Sequence, residues 1–196
     1  PLVVDVTVVG SVRQRRVLTR RGGKAGDILY VTGQIGAAAA GLDWLRRESQ
    51  AARHGRPSDE ALAECVARHC RPEPRSRVGA ILGRTKAASA CMDLSDGLSD
   101  AVSQLSSASG TGARIDADLV PVHPGAKEWF AHQGTDPMVA SVAGGDDYEL
   151  LFAVSPRKRG RLRGIVREAR GLAITRIGEL TADRSVGLLR NGRLEP

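Results

Sequence analysis

The sequence predicts an α/β fold, in the looser α+β sense of a mixed sheet layered with helices, on three observations. Short apolar runs rich in β-formers recur at 27–33, 148–154 and 174–180. Other stretches return their apolar residues at helical spacing. The two kinds of segment mix without strict alternation, so a sheet covered by helices is expected rather than a repeating βα unit.

In chain order, Leu2, Val4, Val6 and Val8 alternate with Asp5 and Thr7, which predicts a half-buried strand closed by Gly10. A basic loop runs from Arg13 to Lys24. Asp27–Gly33 reads as a buried strand, and Gly33-Gln34-Ile35-Gly36 turns into a helix of good formers from Ala37 to Arg47. A strand, a glycine turn and a helix start can cradle an anion on backbone N–H groups, although tight helix-on-strand packing explains the two glycines equally well. Ser58–Cys70 predicts a helix capped by Ser58, with Leu62, Cys65, Val66 and His69 on one face. Pro72 and Pro74 then impose an extended segment. Val78–Ala90 suggests another short helix. Leu98, Ala101, Val102 and Leu105 supply a helical stripe, Ser106–Gly112 a small-residue loop, and Ala113–Ala117 a short strand. Tyr148–Val154 and Ile174–Leu180 are strands, and Asn191-Gly192 turns a closing hairpin between Val186–Leu189 and Leu194.

The 196 residues suffice for one large domain, or one domain and part of another. At 41% hydrophobic and 26% charged the composition is that of a soluble globular protein, and with only 3% aromatics the core falls to Val, Leu, Ile and Ala. No apolar run approaches the roughly 20 residues that cross a bilayer, and the first residues lack a secretory layout. No membrane association is expected. Cys65, Cys70 and Cys91 cannot all pair, which points to reduced thiols and a cytoplasmic setting. Cys65, His69 and Cys70 lack a second ligand pair at zinc spacing and read as a plain helix with buried thiols. The net charge of +7 is concentrated in Arg157–Arg170, where Glu168 is the single acid. Leu162, Ile165, Val166 and Ala169 make that stretch an amphipathic helix with a solvated basic face. It carries no aromatic platform for bases, so no nucleic-acid partner is expected.

Chemistry gathers in two acidic strings. The first is Asp93-Leu94-Ser95-Asp96-Gly97, with Asp100 beyond it; the second is Gly144-Gly145-Asp146-Asp147-Tyr148-Glu149. A helix starting near Asp96 with Ser95 as its cap would leave Asp93 at a strand end, both carboxylates facing the sheet's rim, where ligands collect. Neighbouring carboxylates repel, and a hard cation shared with phosphates removes that cost. Acidic residues favoured by a helix dipole are the plainer reading of the first string, and a turn opening a strand that of the second. Arg20 and Lys24 are candidate polyphosphate contacts, Arg through a bidentate fork, with solvated loop cations as the plainer reading.

Taken in order, Leu18–Asp27, Tyr30–Gly33 with Gly36, Ala40-Gly41-Leu42, His69–Arg75, Met92–Leu98 and Gly144–Phe152 resemble the thiamine-monophosphate kinase family. That family lies within the superfamily of aminoimidazole ribonucleotide synthetase and selenophosphate synthetase. The resemblance covers almost the whole chain and implies the carboxy-terminal domain of the aminoimidazole ribonucleotide synthetase-like fold. It divides the chain into residues 1–10, the last strand of an amino-terminal domain, and residues 11–196, the kinase domain without the family's aromatic tail. It also implies ATP-dependent phosphorylation of thiamine monophosphate to thiamine diphosphate with several Mg2+ ions. Asp93 and Asp96 are then metal ligands, Ser95 and Arg20 ATP contacts, and Asp146 a thiamine-phosphate contact. Positioning and cations do the work, with no catalytic side chain. Ala38 stands where the family often has Ser. The complete protein is expected to be a homodimer, and this half of the active site inactive by itself. The alternatives are a related ATP-dependent small-molecule enzyme of the same superfamily, or a non-catalytic interaction module using the basic Arg157–Arg170 face.

Overall fold

The computed structural model describes residues 3–51, 55 and 57–195. In chain order these form β1 (Ile28–Thr32), α1 (Ala37–Gln50), α2 (Glu60–Cys70), α3 (Ser76–Thr85), β2 (Ala90–Asp93), α4 (Leu98–Ser109) and β3 (Gly112–Asp116). There follow α5 (Pro124–His132), α6 (Pro137–Ala143), β4 (Leu150–Val154), α7 (Leu162–Glu168), β5 (Ile174–Thr181), β6 (Val186–Arg190) and β7 (Arg193–Glu195).

The strands make one sheet in the order β2-β4-β1-β5-β3-β6-β7. Every pairing is antiparallel except β3 with β6, which is parallel. A mixed sheet covered by helices is therefore present. Successive residues of a strand point to opposite faces, and β1 divides its side chains accordingly. Leu29 and Val31 enter a core with α1, α2, α4, α5 and α6. Ile28 and Tyr30 enter a second core with α3 and α7, where Tyr30 stacks on Phe152 with ring centroids 5.7 Å apart. Both faces are covered, which is why β1 is buried along its whole length and reads as an unbroken apolar run.

Several expected boundaries move. Val3–Gly10 forms no strand here, and Val3, Val4, Val6, Val8 and Val9 are exposed; Leu2 lies outside the described residues. Alternation makes a strand only where an edge accepts it, and among the described residues none pairs with this segment. α2 is capped by Asp59, which accepts from Leu62 N at 2.8 Å, not by Ser58. The helix expected over Val78–Ala90 stops at Thr85, where Lys86 turns left-handed with φ 50°, and Ala90 already belongs to β2. Ser106–Ser109 continue α4, which ends on Gly110 at φ 70°. The basic stretch begins as a 3-10 helix, Pro156–Arg161, and only then becomes α7. Leu162, Ile165 and Ala169 bury as expected, whereas Val166 faces out. The hairpin turns on Asn191 and Gly192, both at positive φ.

Candidate functional site

The two acidic strings meet at one end of the sheet. β2 and β4 pair with Asp93 opposite Leu150, so the segment after β2 and the segment before β4 leave the sheet side by side. Backbone bonds continue past the strands: Leu94 N donates to Glu149 O at 2.8 Å, Tyr148 N to Leu94 O at 3.1 Å, and Asp146 N to Ser95 O at 2.7 Å. Glycine is required on both sides of this seam. A Cβ on Gly97 would stand 2.8 Å from the Gly144 carbonyl oxygen, and one on Gly145 2.6 Å from that of Ser95.

Asp93 ends β2 and Asp96 lies in the turn before α4, both exposed, with Ser95 partly covered between them. The helix starts later than expected. Gly97, at φ 103°, is the cap residue and no side chain caps α4, so Ser95 has no capping role and Asp96 precedes the first turn. The seam with Gly144 fixes that start through the backbone. Arg20 lies beside the far end of α4, where its carbonyl accepts from Ser109 Oγ at 3.3 Å. Its guanidinium donates to Gln104 Oε1 in mid-helix, and Gln104 Nε2 donates to Asp100 Oδ2 nearer the rim. Nothing in the sequence marks Gln104 as the link. The Lys24 side chain is exposed and has no partner among the described residues.

In the second string three acids take three separate roles. Asp146 sits at φ 66°, rare for a residue with a side chain, and its carboxylate is 47% exposed. Asp147 turns inward and accepts from Gly36 N at 2.7 Å and Ala38 N at 3.2 Å. The anion cradle suggested at the start of α1 is thus filled by the protein's own carboxylate, a charge the helix dipole favours there. Burial nevertheless pushes Asp147 up to about 6, partly opposed by those two N–H bonds. Glu149 is fully buried and held by Arg75 through Nε at 2.8 Å and Nη2 at 2.6 Å, and by Thr32 Oγ1 at 2.6 Å. The bonds to Glu149 hold Arg75 above the usual guanidinium range, against the opposing effect of burial. Arg75 closes the Pro-flanked stretch, so this fork ties α3's start to the loop that carries Asp146. Beside Asp146 opens a cleft lined by Ala39, Leu42 and Arg46 of α1, Ala140 and Ala143 of α6, and the Gly144–Gly145 turn.

Away from the rim, Cys65 Sγ lies 3.4 Å from His123 Nδ1, and His123 Nε2 lies 3.4 Å from Glu64 Oε2. The line-up has the form of a nucleophile triad without its chemistry, because burial pushes the Cys65 thiol up to about 12 and lowers His123. His123 instead caps α5, accepting from Gly125 N at 3.2 Å. All three cysteines are free, Cys65 and Cys91 buried and Cys70 exposed. The basic stretch spends part of its charge internally. Arg161 donates to the carbonyls of Thr85 and Lys86, and Glu168 of α7 receives Arg84 on its carboxylate and Arg77 on its backbone oxygen. Among the described residues no helix is long and apolar enough to cross a membrane.

Comparison with known proteins bears on this rim. Residues 24–190 match the family described as AIR synthase related protein, C-terminal domain. The thiamine-monophosphate kinase of Caulobacter vibrioides is 35% identical over 196 residues, covering 98% of this chain and 52% of its own length. The crystal structure of thiamine-monophosphate kinase from Stenotrophomonas maltophilia K279a superposes with a TM-score of 0.78 at 29% identity, over 93% of this chain and 55% of that one. AaThiL complexed with AMPPCP and TMP superposes with a TM-score of 0.72 at 27% identity, over 90% of this chain and 51% of that one. The chain spans about half the length of the curated relatives it matches.

Proposed function

The chain belongs to the family of AIR synthase related proteins, as its C-terminal domain, and from that premise we propose that it supplies one half of the active site of a thiamine-monophosphate kinase. The reaction moves the terminal phosphoryl group of ATP onto the phosphate of thiamine monophosphate, giving ADP and thiamine diphosphate. The observation that carries this reading is the seam itself. It joins the Asp93–Asp96 turn to the Asp146 turn through the Ser95–Asp146 backbone bond, so a nucleotide on one flank and an acceptor on the other would meet at one rim. The thiamine-monophosphate kinase relatives and a neighbour crystallised with AMPPCP and TMP support the choice of substrates.

In this reading Arg20 and Ser95 contact ATP and Asp146 contacts the acceptor. Asp93 and Asp96 are the ligands for Mg2+. Their fit rests on donor chemistry: two exposed carboxylates follow one another around a turn. Among the described residues no three His, Cys, Asp or Glu side chains converge as a complete metal site. Two carboxylates completed by substrate phosphates is how proteins usually hold Mg2+. When bound, the ion would neutralise charge building between two phosphorylated molecules. The residues' own part is to hold each substrate, to bring the two phosphates into line, and to take no covalent share.

Residues 1–10 are read as the last strand of an amino-terminal domain that completes the site, residues 11–196 as the kinase domain, and the whole protein as a homodimer. A cytoplasmic setting fits three free thiols. The test is formation of thiamine diphosphate from ATP and thiamine monophosphate by the protein carrying both domains, with aminoimidazole precursors and selenide as competing acceptors. Turnover of another acceptor in place of thiamine monophosphate overturns the reading. Asp96→Asn is expected to remove most Mg2+-dependent turnover, at least about a hundredfold, with an unchanged circular dichroism spectrum; near-normal turnover rejects Asp96 as a ligand.

A further inference from the structure

The loop that carries Asp146 is fixed nearly everywhere except at that residue's carboxylate. Its backbone is bonded to Ser95 and Leu94 on one side. Asp147 is locked into the start of α1 and Glu149 into the Arg75 fork. Asp146 and Tyr148 are both held at positive φ, 66° and 50°, a strain that persists only where surroundings over-determine it. The Asp146 carboxylate, by contrast, makes no hydrogen bond among the described residues, and the one cationic or imidazole nitrogen near it is His69 Nδ1, 4.0 Å from Oδ2. That nitrogen is itself unsatisfied. Nδ1 of His69 is buried and has no hydrogen-bond partner among the described residues, although the side chain as a whole is 22% exposed. A buried polar atom left unpaired is costly, and native structures rarely keep one without reason. The gap is too long for a hydrogen bond and closes with a shift of about 1 Å.

We propose that His69 is a positioning residue for the acceptor: its Nδ1–H takes the Asp146 carboxylate when the acceptor binds and holds it over the cleft between α1 and α6. The inference rests on the reading of Asp146 as the acceptor contact. It gives the His69 end of the Pro-flanked stretch a task, as the Arg75 end has one. α2 delivers His69 to Asp146, while the Arg75 fork, with Arg68 of α2 3.9 Å from the same carboxylate, secures the loop at Glu149. The half-exposed carboxylate keeps its two side-chain torsions for the acceptor to use.

The test uses the two-domain protein and steady-state kinetics with each substrate varied. Asn and Gln separate the two ring nitrogens, because the Asn amide occupies the place of Nδ1 and the Gln amide that of Nε2. His69→Gln is expected to raise KM for thiamine monophosphate about tenfold, as loss of a hydrogen bond to a charged group does. KM for ATP and the thermal midpoint should stay as in the wild type. His69→Asn should restore most of the loss. In an Asp146→Ala background, His69→Gln should add nothing further. Equal behaviour of the Asn and Gln variants, or a tenfold effect that persists without Asp146, overturns the proposal. If Asp146→Ala raises the acceptor KM and His69→Gln does not, this inference alone fails. If Asp146→Ala leaves that KM unchanged, the assignment of Asp146 falls and takes this inference with it.

Discussion

Asp147 closes the amino end of α1 with a carboxylate that resists ionisation. Its folded value of about 6 lies above its ordinary 3.8. The native state therefore holds the proton more tightly, and the associated stability is fully present below about pH 3.8 and lost as pH rises through 6. Asp147→Asn removes the titration and keeps an acceptor for Gly36 N. Denaturant unfolding at pH 4 and pH 7 should then show the variant gaining on the wild type with rising pH, by on the order of 2 kcal/mol. A constant difference would contradict the burial argument. The thiols allow a second check. Native protein treated with iodoacetamide should be modified at Cys70 alone, with Cys65 and Cys91 reacting only after unfolding, as read by peptide mass spectrometry. At this scale the sequence exposed which residues cluster but not their division of labour. Asp146, Asp147 and Glu149 look alike as letters. Only the fold aims one outward, one at a helix end and one into an arginine fork.

Among the elements, the Arg75–Glu149 fork is the most exacting. Glu149 has no exposed side-chain surface and Arg75 only 11%. Arg75→Met strands a buried charge and should cost about 3–5 kcal/mol, whereas the double change Arg75→Met with Glu149→Met should recover most of it. Thermal or urea unfolding of the two variants measures the difference, and a mild single-mutant effect would mean that Arg68, 3.9 Å from Glu149, takes over the charge. Asp59→Ala should cost about 1 kcal/mol through loss of the α2 cap. Strands were the most legible elements, since β1, β3, β4, β5 and the final hairpin all lie where their apolar runs stand. α5 and α6 were not read from the sequence. Their signal was there, in a cap residue followed by proline at His123-Pro124 and Asp136-Pro137, but their short, small-residue stripes hide the period. The strand expected from Leu2 to Val8 finds no ladder among the described residues for the opposite reason: its pattern is plain, and what it pairs with is not written in it.

For the whole molecule, helices on both faces explain why central strands appear as unbroken apolar runs. The rim lies at one end of the sheet, assembled from turns far apart in sequence, so its composition could be read directly while its convergence depended on strand order. The domain reading makes its own prediction here. The chain by itself should form no thiamine diphosphate in a coupled assay, and measurable turnover by it would mean that the catalytic groups are already complete within it.

Strand order also sets when this protein can become itself. β1, near the beginning, lies between β4 and β5, and Thr32 must wait for Glu149, 117 positions later, before the central hydrogen bonds can form. A ribosome releasing this chain releases its middle strand long before that strand's neighbours exist. Assembly is consequently late and concerted, and slow by the rule that distant contacts delay folding. A nascent chain halted before Glu149 should remain open to protease over most of its length, because β1 has neither β4 nor β5 beside it until then.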